Sequence, residues 1–216
     1  MFNYKLIYET TSPFSGEIKV IENNHGRRLV VGGYTQSRSL KESGRSKGYW
    51  DAFVEFDPPK TGLKEILILG LGAGTMAKLL TRKFGPVPID AIEIDPVIAE
   101  VAKSYFDLKE RNVKIIIADA ADYLCRTTKK YDLICVDAFQ WGDVPSQCER
   151  DEFYQNLAQA LNTDGVVIFN RILNDDEGEK INEYADFLES FFDGVEILTV
   201  PGGLRSSNII FYAKGK

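Results

Sequence analysis

The sequence of 216 residues predicts an α/β fold, with a mostly parallel, Rossmann-like sheet that follows a small N-terminal β-hairpin subdomain. Two observations carry this prediction. From residue 66 onward, short apolar runs alternate with helical periodicity, as expected for strands that are buried on both faces of a parallel sheet. Before residue 60, shorter segments alternate apolar and polar residues between glycine and asparagine turns. We therefore expect two domains, 1–60 and 61–216.

The N-terminal region combines extended segments with a polar loop. Strands are predicted over residues 4–8, 17–21 and 28–31 because apolar and polar residues alternate there. Residues 37–48 are polar and contain glycine, so we expect a mobile loop that could act as a lid. A short helix is predicted to begin at residue 49, and it completes the first domain.

A glycine-rich turn follows the first strand of the larger domain. The apolar run 66–69 leads into Gly70, Gly72 and Gly74, and glycine lets the chain turn sharply and lets a ligand approach the backbone. A helix is predicted next, then a second strand that ends at Glu93. A carboxylate at the end of that strand can accept hydrogen bonds from ribose hydroxyls, so this stretch predicts a nucleoside site.

The spacing of the glycines distinguishes between nucleosides. A dinucleotide pyrophosphate requires G-x-G-x-x-G/A, and the sixth position here is Thr75. A nicotinamide-dependent oxidoreductase is therefore disfavoured. The pattern G-x-G-x-G followed by an acid resembles that of S-adenosylmethionine (SAM) dependent methyltransferases and their relatives, whose ligand has no phosphate.

Two further strands end in acidic residues at the same edge of the predicted sheet. The third strand, 113–117, is followed by Asp119 and Ala120, and the fourth, 131–136, is followed by Asp137. Open α/β sheets bind ligands at the carboxyl ends of their strands, which favours a functional role for Asp137. For Asp119 two roles stay open, acceptance of a hydrogen bond from an adenine amino group or capping of the next helix.

The remaining elements continue the α/β alternation and then leave it. Helices are predicted over 150–161 and 181–192, with a fifth strand at 165–169 between them. The extended runs 195–200 and 208–212 are joined by glycines. We expect them to close the parallel sheet with an antiparallel hairpin.

Composition limits the classes of partner. The net charge of -6 and the pI near 5.0 disfavour nucleic acid as a partner. No apolar run reaches the roughly 18 residues of a membrane span, and the N-terminus lacks a signal-peptide layout, so we expect a cytoplasmic protein without a membrane partner. One histidine and three cysteines without C-x-x-C spacing give little support to a metal site.

A longer run of residues carries a family resemblance. Residues 131–170 read YDLICVDAFQWGDVPSQCERDEFYQNLAQALNTDGVVIFN, and with the glycine turn and the hairpins they resemble the spermidine synthase (polyamine aminopropyltransferase) family. The resemblance covers residues 16–214. It implies a SAM-methyltransferase-like catalytic domain, and an N-terminal subdomain that covers the site and commonly supports dimers. The oligomeric state stays open at this point, with a homodimer as the alternative to a monomer that the resemblance brings in.

The same resemblance implies roles for individual residues in donor binding. Gln36 matches the glutamine that contacts the nucleoside donor, and Glu93 matches the acid that binds the ribose. Asp119 and Ala120 match the pair that binds adenine. The donor is expected to be SAM or decarboxylated SAM, with no metal.

For the acceptor, Asp137 matches the aspartate that orients or deprotonates the attacking amine. Tyr49 and Asp51 resemble a Tyr-x-Glu segment beside the amine pocket. Trp141 and Tyr49 are candidates to pack around the substrate or its sulfonium, since aromatic faces attract cations. Ordinary packing of a loop over the core is the alternative for both aromatic side chains.

Departures from the family decide between reactions. Ala73 replaces an aspartate that holds the ammonium of decarboxylated SAM, and Gln140 replaces a second acid near the amine. Loss of these acids removes attraction for a polycation and repulsion of the SAM carboxylate. The sequence therefore favours methyl transfer from SAM to a small amine-like acceptor. Aminopropyl transfer from decarboxylated SAM and a non-catalytic nucleoside-binding role are the alternatives.

Overall fold

The computed structural model of the protein describes residues 4–140, 142–174, 177–202 and 206–216. It contains a four-stranded antiparallel sheet and a seven-stranded, mostly parallel sheet with α-helices on its faces. The predicted α/β fold class, with its N-terminal hairpins, is confirmed. In the described part of the chain, no helix is long and apolar enough to cross a membrane.

The N-terminal sheet is an antiparallel meander. Its strands, in spatial order, are β1 (Lys5–Ser12), β2 (Gly16–Asn23), β3 (Gly26–Val31) and β4 (Tyr34–Arg38). The last of these occupies the start of the segment predicted as a mobile loop. Beyond it, the loop is ordered by hydrogen bonds: the amide of Lys41 donates to the carbonyl of Arg45, and the amides of Ser46 and Lys47 donate to Asp51.

The larger sheet has five parallel strands and an antiparallel hairpin. The strands are β5 (Ile66–Leu69), β6 (Ile89–Glu93), β7 (Val113–Ile117), β8 (Tyr131–Val136), β9 (Leu161–Asn174), β10 (Asp193–Pro201) and β11 (Ser206–Lys214). Their spatial order is β10-β11-β9-β8-β5-β6-β7, so β5 and β8 are neighbours at the centre. The closing hairpin of β10 and β11 pairs with β9, as predicted.

Helices cover both faces of this sheet. They are α1 (Thr75–Phe84), α2 (Pro96–Phe106), α3 (Ala120–Arg126), α4 (Asp151–Ala160) and α5 (Gly178–Glu189), with 3₁₀ helices at Tyr49–Val54 and Ser146–Glu149. One apolar cluster joins the sheet to α3, α4 and α5, and a second joins its other face to α1 and to the first 3₁₀ helix. The division of the chain at residue 60 stays a prediction.

A third apolar cluster joins the two sheets. Ile18 and Leu29 of the small sheet pack with Ile98 and Val101 of α2, and Ala73 of the glycine turn belongs to the same cluster. The small sheet is thereby held over the glycine turn and the start of α2. This contact places the small sheet so that it forms one wall of the site described next.

Candidate active site

A cavity of about 660 Å³ lies where the strands β5, β6 and β8 end. Residues of the N-terminal sheet, the first 3₁₀ helix and the closing hairpin complete its walls. This volume is typical of a site for a small organic ligand. The cavity brings together most of the predicted site residues: Gln36, Tyr49, Gly70, Gly72, Glu93, Asp119, Ala120, Asp137 and Gln140.

Two glycines allow the backbone segments around the cavity to approach closely. Gly70 has a φ of 96°, and a Cβ there would lie 2.3 Å from the carbonyl oxygen of Asp137. Gly72 has a φ of 54°, and a Cβ there would lie 2.7 Å from Oγ of Ser37. That hydroxyl accepts a hydrogen bond of 2.8 Å from the amide of Ala73. The glycine turn is therefore tied to β4 on one side and to the end of β8 on the other.

Glu93 ends β6 and is held by backbone amides. Its Oε2 accepts a hydrogen bond from the amide of Gly72, and its Oε1 accepts one from the amide of Asp95, both at 3.0 Å. Burial nevertheless raises the pKa of Glu93 to about 7, because the charged carboxylate loses its hydration. Each oxygen keeps a lone pair for a further donor, such as a ribose hydroxyl.

Asp119 is the N-terminal cap of α3. Its Oδ1 accepts hydrogen bonds from the amides of Ala121 (2.8 Å) and Asp122 (3.0 Å), and its Oδ2 accepts one from Nε2 of Gln147 (2.9 Å). Of the two roles left open, capping is therefore present in the structure. Asp119 and Ala120 also line the cavity, so contact with an adenine stays a prediction.

Asp137 follows β8 and is held by side chains. Tyr49 donates a hydrogen bond to its Oδ2 at 2.9 Å and is 3.2 Å from its Oδ1. Asn170 donates to Oδ1 at 2.8 Å, and the amide of Asn208 donates in turn to Oδ1 of Asn170 at 3.0 Å. The three side chains that hold Asp137 come from the first 3₁₀ helix, β9 and β11, and together they orient its carboxylate.

The environment of Asp137 alters its acidity. Burial raises its pKa to about 7, although the hydrogen bonds from Asn170, Tyr49 and Trp50 act in the opposite direction. Burial and the neighbouring carboxylate also raise the pKa of Tyr49 well above its ordinary value, so its hydroxyl remains a donor. A carboxyl with a pKa near neutrality is suited to proton transfer at physiological pH.

Sequence reasoning missed Asn170 and Asn208. Asn170 directly follows the apolar run of β9. Glu93 and Asp137 likewise come directly after the apolar runs of β6 and β8. That shared pattern could have identified Asn170. Asn208 lies near the start of β11 in a polar segment, and no sequence signal distinguishes it.

Three other predicted site residues lie elsewhere or are not described. Asp51 does not line the cavity, and its carboxylate accepts hydrogen bonds from the amides of Ser46 (2.8 Å) and Lys47 (3.0 Å). It orders a loop, and this placement gives no support to contact with the amine. Gly74 lies at the start of α1, outside the cavity lining, where a Cβ would meet Leu108. Trp141 lies outside the described residues.

Gln140 and Ala73, the two positions that replace family acids, differ in placement. Gln140 lines the cavity, and its backbone pairs with that of Asp143 through hydrogen bonds of 2.8 and 3.0 Å. Ala73 is only 1% exposed and packs in the apolar cluster between the two sheets. The part of the cavity lining that the structure describes does not include it. The side chain of residue 73 therefore contacts apolar residues between the two sheets rather than the described lining of the cavity.

The described lining of the cavity contains one cysteine. Cys148 lines the cavity, and burial raises the pKa of its thiol to about 12, so the thiol stays protonated. Among the residues that the structure describes, no three His, Cys, Asp or Glu side chains are grouped as metal ligands.

Comparison with protein families gives one match. The model of the spermine/spermidine synthase domain matches residues 55–215. This match covers most of the chain, and it includes all predicted site residues except Gln36, Tyr49 and Asp51.

Curated relatives cover the same region. The "Probable polyamine aminopropyl transferase" of Bifidobacterium longum is 32% identical over 165 residues, which are 76% of this chain and 37% of that protein. The polyamine aminopropyltransferase of Methanocaldococcus jannaschii is 25% identical over 171 residues, 76% of this chain and 56% of that protein. The chain thus spans about a third to a half of the length of these relatives.

Solved structures share the fold. A probable spermidine synthase from Corynebacterium glutamicum superimposes with a TM-score of 0.78 at 21% identity, covering 100% of this chain and 81% of that one. A spermidine synthase in complex with the transition-state analogue AdoDATO gives a TM-score of 0.74 at 20% identity, covering 98% and 74% of the two chains. At this identity the likeness concerns the fold alone.

The names of these relatives contradict methyl transfer from SAM, the reaction that the sequence favoured. They are named for aminopropyl transfer, which was the alternative. The physical reason for the error is the position of Ala73. The absence of an aspartate at position 73 favours SAM only if this residue faces the donor, whereas residue 73 is packed between the sheets.

Proposed function

This chain belongs to the spermine/spermidine synthase family, and we propose that it transfers an aminopropyl group from decarboxylated SAM to the amine nitrogen of a small acceptor. One observation carries the proposal. Asp137 is a partly buried carboxylate in the cavity lining, oriented by Tyr49 and Asn170 and adjacent to the glycine turn. The names of the relatives and the AdoDATO complex of a spermidine synthase support the same donor class.

The reaction requires alignment and removal of one proton. The amine nitrogen attacks the propyl carbon beside the sulfonium, the C–S bond breaks, and its electron pair leaves with 5′-methylthioadenosine. An ammonium with a pKa of roughly 10.4 must first lose a proton, since its lone pair is otherwise unavailable. Asp137 can hold the N–H groups of the amine and accept this proton, and a pKa near 7 makes it a stronger base than an ordinary carboxylate.

The other end of the cavity suits the nucleoside of the donor. Glu93 lies beside the glycine turn through its bond to the amide of Gly72, and ribose hydroxyls can donate to its carboxylate there. Asp119, Ala120 and Gln147 form the adjacent wall, which we assign to adenine. Gln36 of β4 lines the cavity from the N-terminal sheet and is assigned to the donor. With the nucleoside held here, the sulfonium lies toward Asp137.

The proposal is tested by product analysis. Purified protein is incubated with decarboxylated SAM and a panel of amines, and release of 5′-methylthioadenosine is followed by chromatography with mass analysis of the acceptor. We expect 5′-methylthioadenosine and an acceptor heavier by one aminopropyl group, and the variant Asp137→Asn should release far less. Absence of release with every acceptor, despite binding of the donor, would contradict the proposal.

Two expectations about the whole protein remain proposals. The strand β1 is an edge of the N-terminal sheet, so it can pair with a second copy in a homodimer. Sedimentation of the purified protein tests this. A cytoplasmic location is the second proposal, and cell fractionation tests it.

A further inference from the structure

Four cations lie near one another, Arg28, Arg38, Lys41 and Lys47, and are here named the cationic cluster. Arg38 and Lys47 line the cavity itself. We propose that the cationic cluster binds a carboxylate of the acceptor, so that the acceptor is an amino-acid-like zwitterion rather than a plain diamine. This inference rests on the proposed aminopropyl transfer.

Arg38 carries unused donors. Its Nε is buried and has no hydrogen-bond partner among the described residues, and its Nη1 makes one long bond of 3.4 Å to the carbonyl of Lys47. Within the described ranges, no carboxylate forms an ion pair with this guanidinium. A buried guanidinium donor without an acceptor costs free energy, and a planar carboxylate satisfies two donors at once.

The neighbours of Arg38 increase this cost. Arg28 lies directly opposite Arg38 in the β3–β4 register, and like charges at opposed positions destabilise an antiparallel pair. Burial, Lys47, Arg28 and Arg38 together lower the pKa of Lys41. Among the described residues, none forms a salt bridge with a side chain of the cationic cluster. By contrast, the nearby Arg27 and Arg45 are each paired with a glutamate. A bound anion would offset the repulsion.

The carboxylates of the cavity point to the same conclusion. In its described lining they are Glu93, Asp119 and Asp137, and the first two are engaged by backbone amides at the end assigned to the donor. Asp137 alone remains for an amine. A plain diamine would bring a second ammonium toward Arg38 and Lys47, where like charges repel it.

One segment of the chain contacts both Asp137, proposed to bind the amine, and Arg38, proposed to bind the carboxylate. Tyr49 donates to Asp137, and Lys47 precedes Tyr49 by two residues, so their Cα atoms are at most about 7 Å apart. The guanidinium of Arg38 reaches the carbonyl of the same Lys47. The amine can thus lie at Asp137 while the carboxylate lies at Arg38. Since decarboxylated SAM has no carboxylate, the anion comes from the acceptor.

The chemistry of the step is unchanged by this assignment. The acceptor nitrogen forms the new C–N bond, the C–S bond of the donor breaks, and the thioether leaves as a neutral molecule. The amine proton passes to Asp137 and then to solvent. The carboxylate only positions the acceptor and does not react.

The test compares two acceptors of matched length, 4-aminobutyrate and putrescine, with decarboxylated SAM as donor. We expect the protein to prefer 4-aminobutyrate in kcat/KM. Arg38→Gln should lower that value by about tenfold or more for 4-aminobutyrate, and leave it unchanged or higher for putrescine. Lys60→Gln, at an exposed position outside the cavity lining, is the control for loss of one positive charge. Arg38→Lys should restore part of the loss.

The variants are expected to fold, because the bonds between residue 38 and Thr75 use the backbone of residue 38. Calorimetric titration of 4-aminobutyrate into protein loaded with 5′-methylthioadenosine separates the two proposals. If binding requires Arg38 but no acceptor is ever alkylated, the proposed function fails and the carboxylate site stands. If putrescine reacts and 4-aminobutyrate neither binds nor reacts, the zwitterion is excluded. The assignment would also be overturned if Arg38→Gln changed the discrimination between SAM and decarboxylated SAM but left the discrimination between the two acceptors unchanged.

Discussion

The two ends of the cavity each hold a carboxylate whose pKa is raised to about 7 because the surrounding protein reduces its hydration, but they hold it by different means. In the donor half, Glu93 is fixed by backbone amides, of which that of Gly72 is 21 residues away. In the acceptor half, Asp137 is fixed by the side chains of Tyr49 and Asn170, 88 and 33 residues away. A substitution can delete a side-chain donor but leaves a backbone amide in place. The acceptor half should therefore be the more sensitive to substitution around its carboxylate.

The largest effect is expected from substitution of Asp137, because this carboxylate is proposed to contact the reacting amine. Asp137→Asn removes the group that we propose as the acceptor of the amine proton, so kcat for aminopropyl transfer should fall by about 100-fold or more. The affinity for decarboxylated SAM should change little, because that half is held separately. Single-turnover kinetics and donor titration measure the two quantities. Asp186→Asn, at an exposed position of α5, is the control, and an unchanged kcat in Asp137→Asn would remove Asp137 from the mechanism.

A smaller effect is expected in the donor half. Glu93→Gln replaces a carboxylate with an amide, which loses charge-assisted acceptance of the ribose hydroxyls. The Kd for decarboxylated SAM should rise by about 10- to 100-fold, with a lesser change in kcat at saturating donor. Calorimetry measures the affinity. A rise in Kd no greater than that of the exposed control Glu183→Gln would show that the ribose lies elsewhere.

The pH dependence separates the two carboxylates in one protein. Both pKa values are raised to about 7, so each acid takes up a proton as the pH falls through about 7 rather than near its ordinary value. Donor affinity should then decrease through the protonation of Glu93 in the free protein. The value of kcat reports Asp137 in the complex, and it should fall by up to about tenfold per pH unit below its pKa there. A kcat that stays constant from pH 8 to pH 5.5 would contradict the assignment of Asp137, and a donor affinity that stays constant over this range would contradict that of Glu93.

The smallest effect concerns a residue that acts through Asp137. The hydrogen bond from Asn170 lowers the pKa of Asp137, so Asn170→Ala should raise that pKa further and move the acid limb of kcat to higher pH. At high pH the variant should recover most of its rate, a few-fold below the parent. A uniform loss at all pH values would instead indicate that Asn170 only supports the packing around Asp137. The pH profile of kcat, measured for both proteins, distinguishes these outcomes.

The same contrast explains how much the sequence could predict. The strands of the larger sheet are apolar runs, and an acid directly after such a run marks the ligand-binding edge. Glu93, Asp119 and Asp137 were found in this way because strand ends of a parallel sheet meet at one edge. The antiparallel closing hairpin was also predicted, since two extended runs flank a glycine turn.

What was missed depends on contacts between distant residues. The strand β4 reads YTQSR and lacks an apolar alternation, and it is held by pairing with β3 and by the hydroxyls of Ser37 and Thr75. Asn208 is defined only by its bond to Asn170 across β9 and β11. The significance of Ala73 was misjudged because its position between the sheets depends on tertiary packing.

The order of the strands in space differs from their order in the chain, and this has a consequence during synthesis. Glu93, Asp119 and Gln147 have all left the ribosome well before β11, which carries Asn208 and pairs with β9. The nucleoside pocket is thus encoded ahead of the last link that steadies Asp137. During synthesis of each chain, the residues assigned to the donor are therefore available before Asn208, and the hydrogen-bond network around Asp137 is completed after them.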